Sequence, residues 1–338
     1  MPDPDPCGRS PDVHVVSASR RTDIPAFFMP WMIHRVRAGF VMVRNPRNPA
    51  HVLRVSLRAG DVAAVVWWSR DYGPLIERLD ELDGFGLRGL FQFTLTGYGP
   101  PLEPAGPDVS SAADQLATLA ARHGPDRVVW RYDPIVIGSV CTRAWHVAHF
   151  ARLAARLQGA TREAVISFVD PYPSTRTALR AIGERTGDTW PAPSLEERVG
   201  LARELAAIGA DHGMRVRACC ESDLVEAGAV QGARCIDAER IRAIAGPDVM
   251  LKEAPTRKGC GCVHARDIGA YHTCPRGCAY CYANASPEAG RAGAREVDCR
   301  GNHLGPGDLE ESLPKRRARS GQLPLAGLEE EVRPRRRT

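Results

Sequence analysis

Three cysteines near the end of the chain carry the strongest chemical signal: Cys274-Pro-Arg-Gly-Cys278-Ala-Tyr-Cys281, a C-x3-C-x2-C spacing with Tyr280 just before the last thiol. Thiolates are soft ligands that select iron–sulfur clusters, zinc or copper(I). Three of them on one short loop leave one iron of a [4Fe–4S] cube without a protein ligand. That is the vacancy a cluster needs if it is to bind a small molecule. A structural zinc takes four ligands, and Cys260, Cys262, His264 and His272 lie close enough in sequence to supply the fourth. Four further thiols, Cys220, Cys235, Cys260 and Cys262, can furnish a second iron–sulfur cluster or a zinc; the competing reading is that they are small buried hydrophobes. Cys219 adjoins this set. Cys7, Cys141 and Cys299 are isolated and receive no role.

A second group of chemistry-bearing residues recurs at the ends of apolar runs. Ser19-Arg20-Arg21-Thr22-Asp23 follows His14–Ala18, Arg44-Asn45 follows Phe40–Val43, and Arg70-Asp71 follows Val62–Trp68. Arg131 and Asp133 end the run Arg127–Trp130, Asp170 follows Ala164–Phe168, and Glu221 follows Met214–Ala218. Guanidinium groups bind carboxylate or phosphate through two parallel hydrogen bonds, and the interleaved acids can pair with them or exchange protons. The candidate catalytic residues are therefore Arg20, Arg21, Asp23, Arg131, Asp133, Asp170 and Glu221. Each cluster taken singly is also what a loop salt bridge looks like.

The runs that carry these residues must be strands. They are nearly continuous in apolar residues, as expected when both faces of a sheet are covered. Between them lie helical patterns: Phe27–Ala38, Pro74–Leu82, Ser110–Arg122, Thr142–Leu157, Ser194–Gly209, opened by the capping box Ser194/Glu197, and Asp237–Ile244. Alternating strands and helices imply parallel βαβ units. Six or seven of them predict an α/β fold of the TIM-type (β/α) barrel, not necessarily complete, with a C-terminal cysteine-rich iron–sulfur segment. The absence of a Gly-rich dinucleotide fingerprint after the first strand ranks a doubly wound sheet second. A last strand is expected at Val249–Leu251. Trp67, Trp68 and Trp130 read as core; His146, His149 and His212 read as surface or helix-packing residues. The segments are 1–11, a disordered N-terminus; 12–255, the barrel; 256–300, the cysteine-rich segment; and 301–338, a disordered basic tail.

Composition limits the partners. The chain has 338 residues, 43% of them hydrophobic, and a net charge of +5. Eight cations, Lys315, Arg316, Arg317, Arg319, Arg333, Arg335, Arg336 and Arg337, account for more than that excess. The remainder is not a basic nucleic-acid surface. No apolar run is long enough for a membrane span, and no signal peptide is expected. Eleven cysteines in this pattern suit a reducing, cytoplasmic compartment.

The sequence resembles the uncharacterised bacterial family DUF1848. The resemblance is carried by Ser17–Pro25, Val43–Pro46, Phe91–Tyr98, Trp130–Pro134, Ser167–Asp170, Cys235–Asp237 and the stretch from Cys260 through Asp267 to Asn284. The cysteine loop separately resembles the radical S-adenosylmethionine (SAM) signature. That likeness implies a [4Fe–4S] cluster on Cys274, Cys278 and Cys281, with Tyr280 in the usual aromatic position. It also implies SAM as a second cofactor, an anionic small-molecule substrate at the barrel mouth, and an electron donor such as ferredoxin or flavodoxin. Arg44 and Asn45 join Tyr280 as candidate cofactor-binding residues. In that superfamily the loop follows the first strand; here it follows the last, and no Gly-Gly-Glu motif appears after a strand. The alternative is a metal-binding α/β barrel without SAM chemistry, holding structural zinc or a redox-sensing cluster and acting on phosphorylated or nucleic-acid ligands.

Overall fold

The computed structural model describes residues 13–312. The strands are β1 (His14–Ala18), β2 (Phe40–Asn45), β3 (Asn48–Ser56), β4 (Val62–Ser69), β5 (Gly89–Thr94), β6 (Val128–Ile135), β7 (Glu163–Phe168), β8 (Arg215–Ala218), β9 (Gln231–Gly232) and β10 (Ala265–Asp267). Eight of them form one parallel sheet in the order β10-β1-β4-β5-β6-β7-β8-β9. The order from β1 to β9 never reverses, so the right-handed crossovers put their helices on the same face. On that face Val65, Trp67, Phe93, Trp130 and Ile166 meet Leu116, Leu119, Phe150, Leu153 and Leu205 of the helices Val109–His123, Arg143–Leu157 and Leu195–Asp211. The alternate residues Val15, Ala64, Val66, Leu90, Val129 and Val165 face the other way. They are covered by residues 233–263, including the helix Ala238–Ala245.

The mixed α/β class is as expected, but the sheet does not close into a TIM-type barrel. β9 and β10 are its edges, two and three residues long. The segments that extend them meet in a seam, where Val263 N–H donates to Ile236 O at 3.1 Å. The chain approaching the seam is rich in glycine and cysteine, which favours turns over paired strand. Val249–Leu251 forms no strand. A second difference concerns β2, which pairs antiparallel with β3 in a separate hairpin. The segment after residue 300 also packs. Trp31 Nε1 donates to the Gly301 and His303 carbonyls, Leu304 is buried, and Ser312 bonds Ala50 and Val52 of β3. The remaining tail, residues 313–338, and the N-terminal residues 1–11, Cys7 among them, lie outside the described residues. No described helix is long and apolar enough to cross a membrane.

His146 is buried inside the core, hydrogen-bonded to Tyr132 Oη at 2.8 Å and to the Val136 carbonyl at 3.0 Å. Burial holds its pKa down at about 4. The unfolded chain, with an ordinary imidazole near 6.5, takes the proton first. Stability is therefore complete above that value and is lost as pH falls toward 4. At about 1.4 kcal/mol per unit, the loss by pH 4.5 is roughly 2–3 kcal/mol. Urea midpoints at pH 7.5 and 4.5 should fall further apart for the wild type than for His146→Gln by that amount.

Candidate functional site

The C-terminal ends of the parallel strands gather at one edge of the sheet, where ligands bind in open α/β folds. β1 turns there through Ser19-Arg20-Arg21. Asp267, at the end of β10, holds this turn by accepting hydrogen bonds from Ser17 Oγ (2.9 Å), Ser19 Oγ (2.6 Å) and Arg20 N (2.9 Å). The guanidinium groups of Arg20 and Arg21 stand 3.8 and 3.9 Å from the same carboxylate. Arg20 also lies over the Trp68 ring, and Arg21 over Tyr271. Asp267 organises this corner, yet nothing in its local sequence marks it out, because its partners are some 250 residues away.

The cysteine loop is docked on the same edge. Arg276, 4% exposed, reaches into the sheet and pairs with Asp23, whose carboxylate oxygen Oδ2 lies 3.0 Å from Nε and 2.9 Å from Nη2. Asp23 also accepts from Ser69 Oγ at 2.6 Å and caps the short helix Ile24–Phe27 through Ala26 N. Arg276 further lies 4.8 Å from the Phe27 ring centroid and donates to Ala105 O. Four residues on, Tyr280 Oη hydrogen-bonds Glu103 and Arg70, while Arg70 pairs with Glu103 at 2.7 Å and donates to Thr96 Oγ1 at 2.9 Å. Tyr282 Oη donates to Arg20 O, and Asn284 Nδ2 to Cys274 O. A cavity of about 380 Å³, lined by Arg70, Thr94, Thr96, Glu103 and Asp108 among others, opens beside this network.

The helix Pro287–Arg295 supports the loop from behind through two glycines. A Cβ on Gly290 would stand 2.3 Å from Cys274 O, and one on Gly293 1.9 Å from His272 O. Both obstacles are backbone and cannot swing aside. Alanine normally gains about 1 kcal/mol over glycine inside a helix, but overpacking costs about 1–3 kcal/mol. Gly293→Ala should therefore lower the urea midpoint rather than raise it.

Burial pushes the Cys274 thiol up to about 12 and Cys278 to about 11. Cys278 adds to the rise at Cys274, and Cys281 to that at Cys278, so neighbouring thiols resist losing their protons together. Arg70 and Arg276 act the other way on Cys278. Buried polar atoms lack partners at this loop: Thr22 Oγ1, Asn284 Oδ1 and Arg276 Nη2, the last ion-paired but without a well-directed hydrogen bond. A soft donor set, two nearby cations and unpaired polar atoms fit an anionic thiolate-bound cluster. Among the described residues, no three His, Cys, Asp or Glu side chains converge on one point as a single metal ion requires.

The other thiols meet at the seam between the sheet edges. Cys219 Sγ lies 3.2 Å from Cys235 Sγ and 3.9 Å from Cys220 Sγ. Cys235 in turn interacts with Cys262, and Cys262 with Cys260. Ile236 N–H donates to Cys262 Sγ at 3.4 Å. Cys220, Cys235, Cys260 and Cys262 are thus brought together, with Cys219 linking the first two. Arg131 Nη1 donates to Cys235 Sγ at 2.8 Å, while its Nε and Nη2 grip Asp133 in a two-pronged pair. Trp68, on the face opposite Trp67 and Trp130, carries Arg131 as well as Arg20 against its ring. It is no part of the helix-side core.

The profile of a family described as a domain of unknown function, DUF1848, matches residues 15–283. The chain belongs to the DUF1848 family. No curated protein matches it.

In this DUF1848 chain the remaining candidates disperse. Asp170 is largely exposed and pairs with Arg257 at 2.5 Å. Glu221 accepts from Phe168 N and pairs with Arg198 at 3.0 Å, its pKa raised by burial. Both stand at strand ends but are tied into structural pairs. Arg44 and Asn45 are not on the site edge: they belong to the β2–β3 hairpin, where Arg44 bonds Pro49 O and Asn45 Oδ1 accepts from Arg47 N. Of the histidines, His149 is buried against Thr96 O, and His212 sits half-buried beside Gln158. Cys141 is buried and Cys299 exposed. Glu103, Arg276 and Asp267 complete the site edge and are absent from the sequence-derived candidates.

Proposed function

We propose that this DUF1848 protein is a radical SAM-like iron–sulfur enzyme in which Cys274, Cys278 and Cys281 hold a [4Fe–4S] cluster over the C-terminal edge of the parallel sheet. The observation that carries the reading is the buried Arg276–Asp23 pair, which fixes a loop from the far end of the chain onto the edge where parallel sheets bind ligands. A cube on three thiolates supplies one iron without a protein ligand, able to take a chelating cosubstrate such as SAM. The protein's part is placement. Tyr280 and Arg70 anchor the loop, and Arg70 and Arg276 bring positive charge to the thiolates. Arg20 and Arg21, whose contacts to Asp267 are long ion pairs, retain donors for an anionic substrate. Asp133, gripped by Arg131, stands at the same edge. A reduced donor protein of the ferredoxin or flavodoxin type would supply electrons.

Anaerobic reconstitution with iron and sulfide tests this. The expected load is about four iron and four sulfide per chain. The EPR spectrum of the dithionite-reduced protein should change on adding SAM, and 5′-deoxyadenosine should form. Zinc without iron would overturn the reading. A loaded cluster blind to SAM would remove the SAM assignment and leave the cluster.

A further inference from the structure

We propose that Cys219 and Cys235 are a redox-active dithiol that closes to a disulfide, a site separate from the cysteine loop and independent of its cluster. Their sulfurs stand 3.2 Å apart at the seam, both 7% exposed, with neither in a disulfide. Two thiolates sharing a tetrahedral zinc at about 2.3 Å would lie about 3.8 Å apart. The observed contact is closer than that. The five seam sulfurs also run as a chain, Cys220 to Cys219 to Cys235 to Cys262 to Cys260, rather than converging on a point. What the pair does have is the requirement for exchange chemistry: a guanidinium on one sulfur and a second sulfur in contact. Arg131 Nη1 donates to Cys235 Sγ at 2.8 Å, and Cys219 Sγ lies against the same sulfur. The half-buried Cys220 and Cys260 mark the side from which a small oxidant enters.

With a peroxide as oxidant the step balances. The sulfur of one thiol of the pair attacks one peroxide oxygen, the O–O bond breaks, and the departing hydroxide leaves as water with that thiol's proton. The sulfur of the other thiol then attacks the sulfenic sulfur, the S–O bond breaks, and the second hydroxide leaves as water with the second thiol's proton. Two sulfurs are oxidised by one electron each, and the peroxide is reduced by two. Closure draws Cys235 Sγ toward Cys219 and away from Arg131, whose other prong holds Asp133 on the site edge.

The test is thiol mapping on the full chain. Reduced protein is treated with hydrogen peroxide, alkylated and digested. The expected product is a Cys219–Cys235 cross-linked peptide lacking two hydrogens and restored by dithiothreitol. In Cys219→Ser and in Cys235→Ser the cross-link should be absent, and the remaining thiol of the pair should instead be trapped as a sulfenic acid by a 1,3-dione reagent. Full alkylation of both thiols after treatment would overturn the proposal. So would a metal that survives peroxide, is lost in Cys235→Ser and is kept in Cys278→Ser, since the seam thiols would then be ligands. Loss of iron in Cys278→Ser alone speaks to the cluster on the loop and leaves the dithiol as it stands. Because the first readout is made on the wild type, a poorly folded variant does not remove the test.

Discussion

Replacing Cys278 with serine should leave the reconstituted protein with less than about one iron per chain, against about four in the wild type. Cys278 is the central thiol of the three, flanked by Cys274 and Cys281 and set beside Arg70 and Arg276. Serine keeps the size and most of the polarity, so the fold has little reason to change. It does not keep the soft donor. An alkoxide is a far poorer partner for iron than a thiolate at neutral pH. The loop is held by Arg276, Tyr280 and Asn284 independently of any metal, so the variant should stay folded, with a urea midpoint within about 1 kcal/mol of wild type. The expected pair of results is lost iron and retained stability, read by iron assay and by urea unfolding of the apo protein. Full iron content in Cys278→Ser would contradict the ligand assignment. A collapse of the apo protein would mean that the thiol is a packing residue first.

Some of this architecture was legible in the chain because burial on two faces leaves a simple trace. Val62–Trp68 reads as a strand from its unbroken apolar run, and it is one, extended to Ser69. The helix at Leu195–Asp211 is announced by Ser194 and Glu197, whose two hydrogen bonds are both formed. β3 left no comparable trace. Its residues Asn48–Ser56 are mostly exposed, with Val52 and Val55 buried, so no alternating pattern survives. Missing β3 is what misplaced Arg44 and Asn45. Once Phe40–Val43 pairs with a neighbour in sequence rather than with β1, its end no longer points to the shared edge.

The site divides along the same line. Thiol spacing is a local property, and the cysteine loop was found from it. The residues that hold the loop act over long separations: Arg276 and Asp23 are 253 positions apart, Tyr280 and Glu103 177. Glu103 lies in a proline-rich stretch with no periodicity, and Asp267 resembles any acid at the end of a short strand. Asp23 was visible as a charged strand-end residue, but its task was not. A catalytic acid and a buried counter-ion are the same residue type, and only the partner tells them apart. Cys219 was visible too. What places it beside Cys235 is the seam between the two sheet edges, which no local pattern encodes.

Arg276→Ala should destabilise the apo protein by about 3–5 kcal/mol, the usual consequence of leaving one member of a buried ion pair without its partner. Arg276 and Asp23 have side chains 3% and 10% exposed, and the substitution strands Asp23 beside Ser69 with its charge uncompensated. It also removes the contact with the Phe27 ring and the donor to Ala105 O. Arg276→Lys keeps the charge but not the fork that spans Asp23 through two nitrogens, so it should fall between the two. Neutralising the acid as well separates pairing from packing. In Asp23→Asn combined with Arg276→Ala the stranded charge is gone, and the double variant should recover about 1–3 kcal/mol relative to the sum of the single changes. Urea unfolding measures both. Iron content supplies a readout that stability alone would not move. If the pair docks the loop onto the sheet edge, Arg276→Ala should take up less than half the wild-type iron even at temperatures where it is fully folded. A variant that loses the stability but reconstitutes completely would make the pair a core contact with no part in presenting the three thiols.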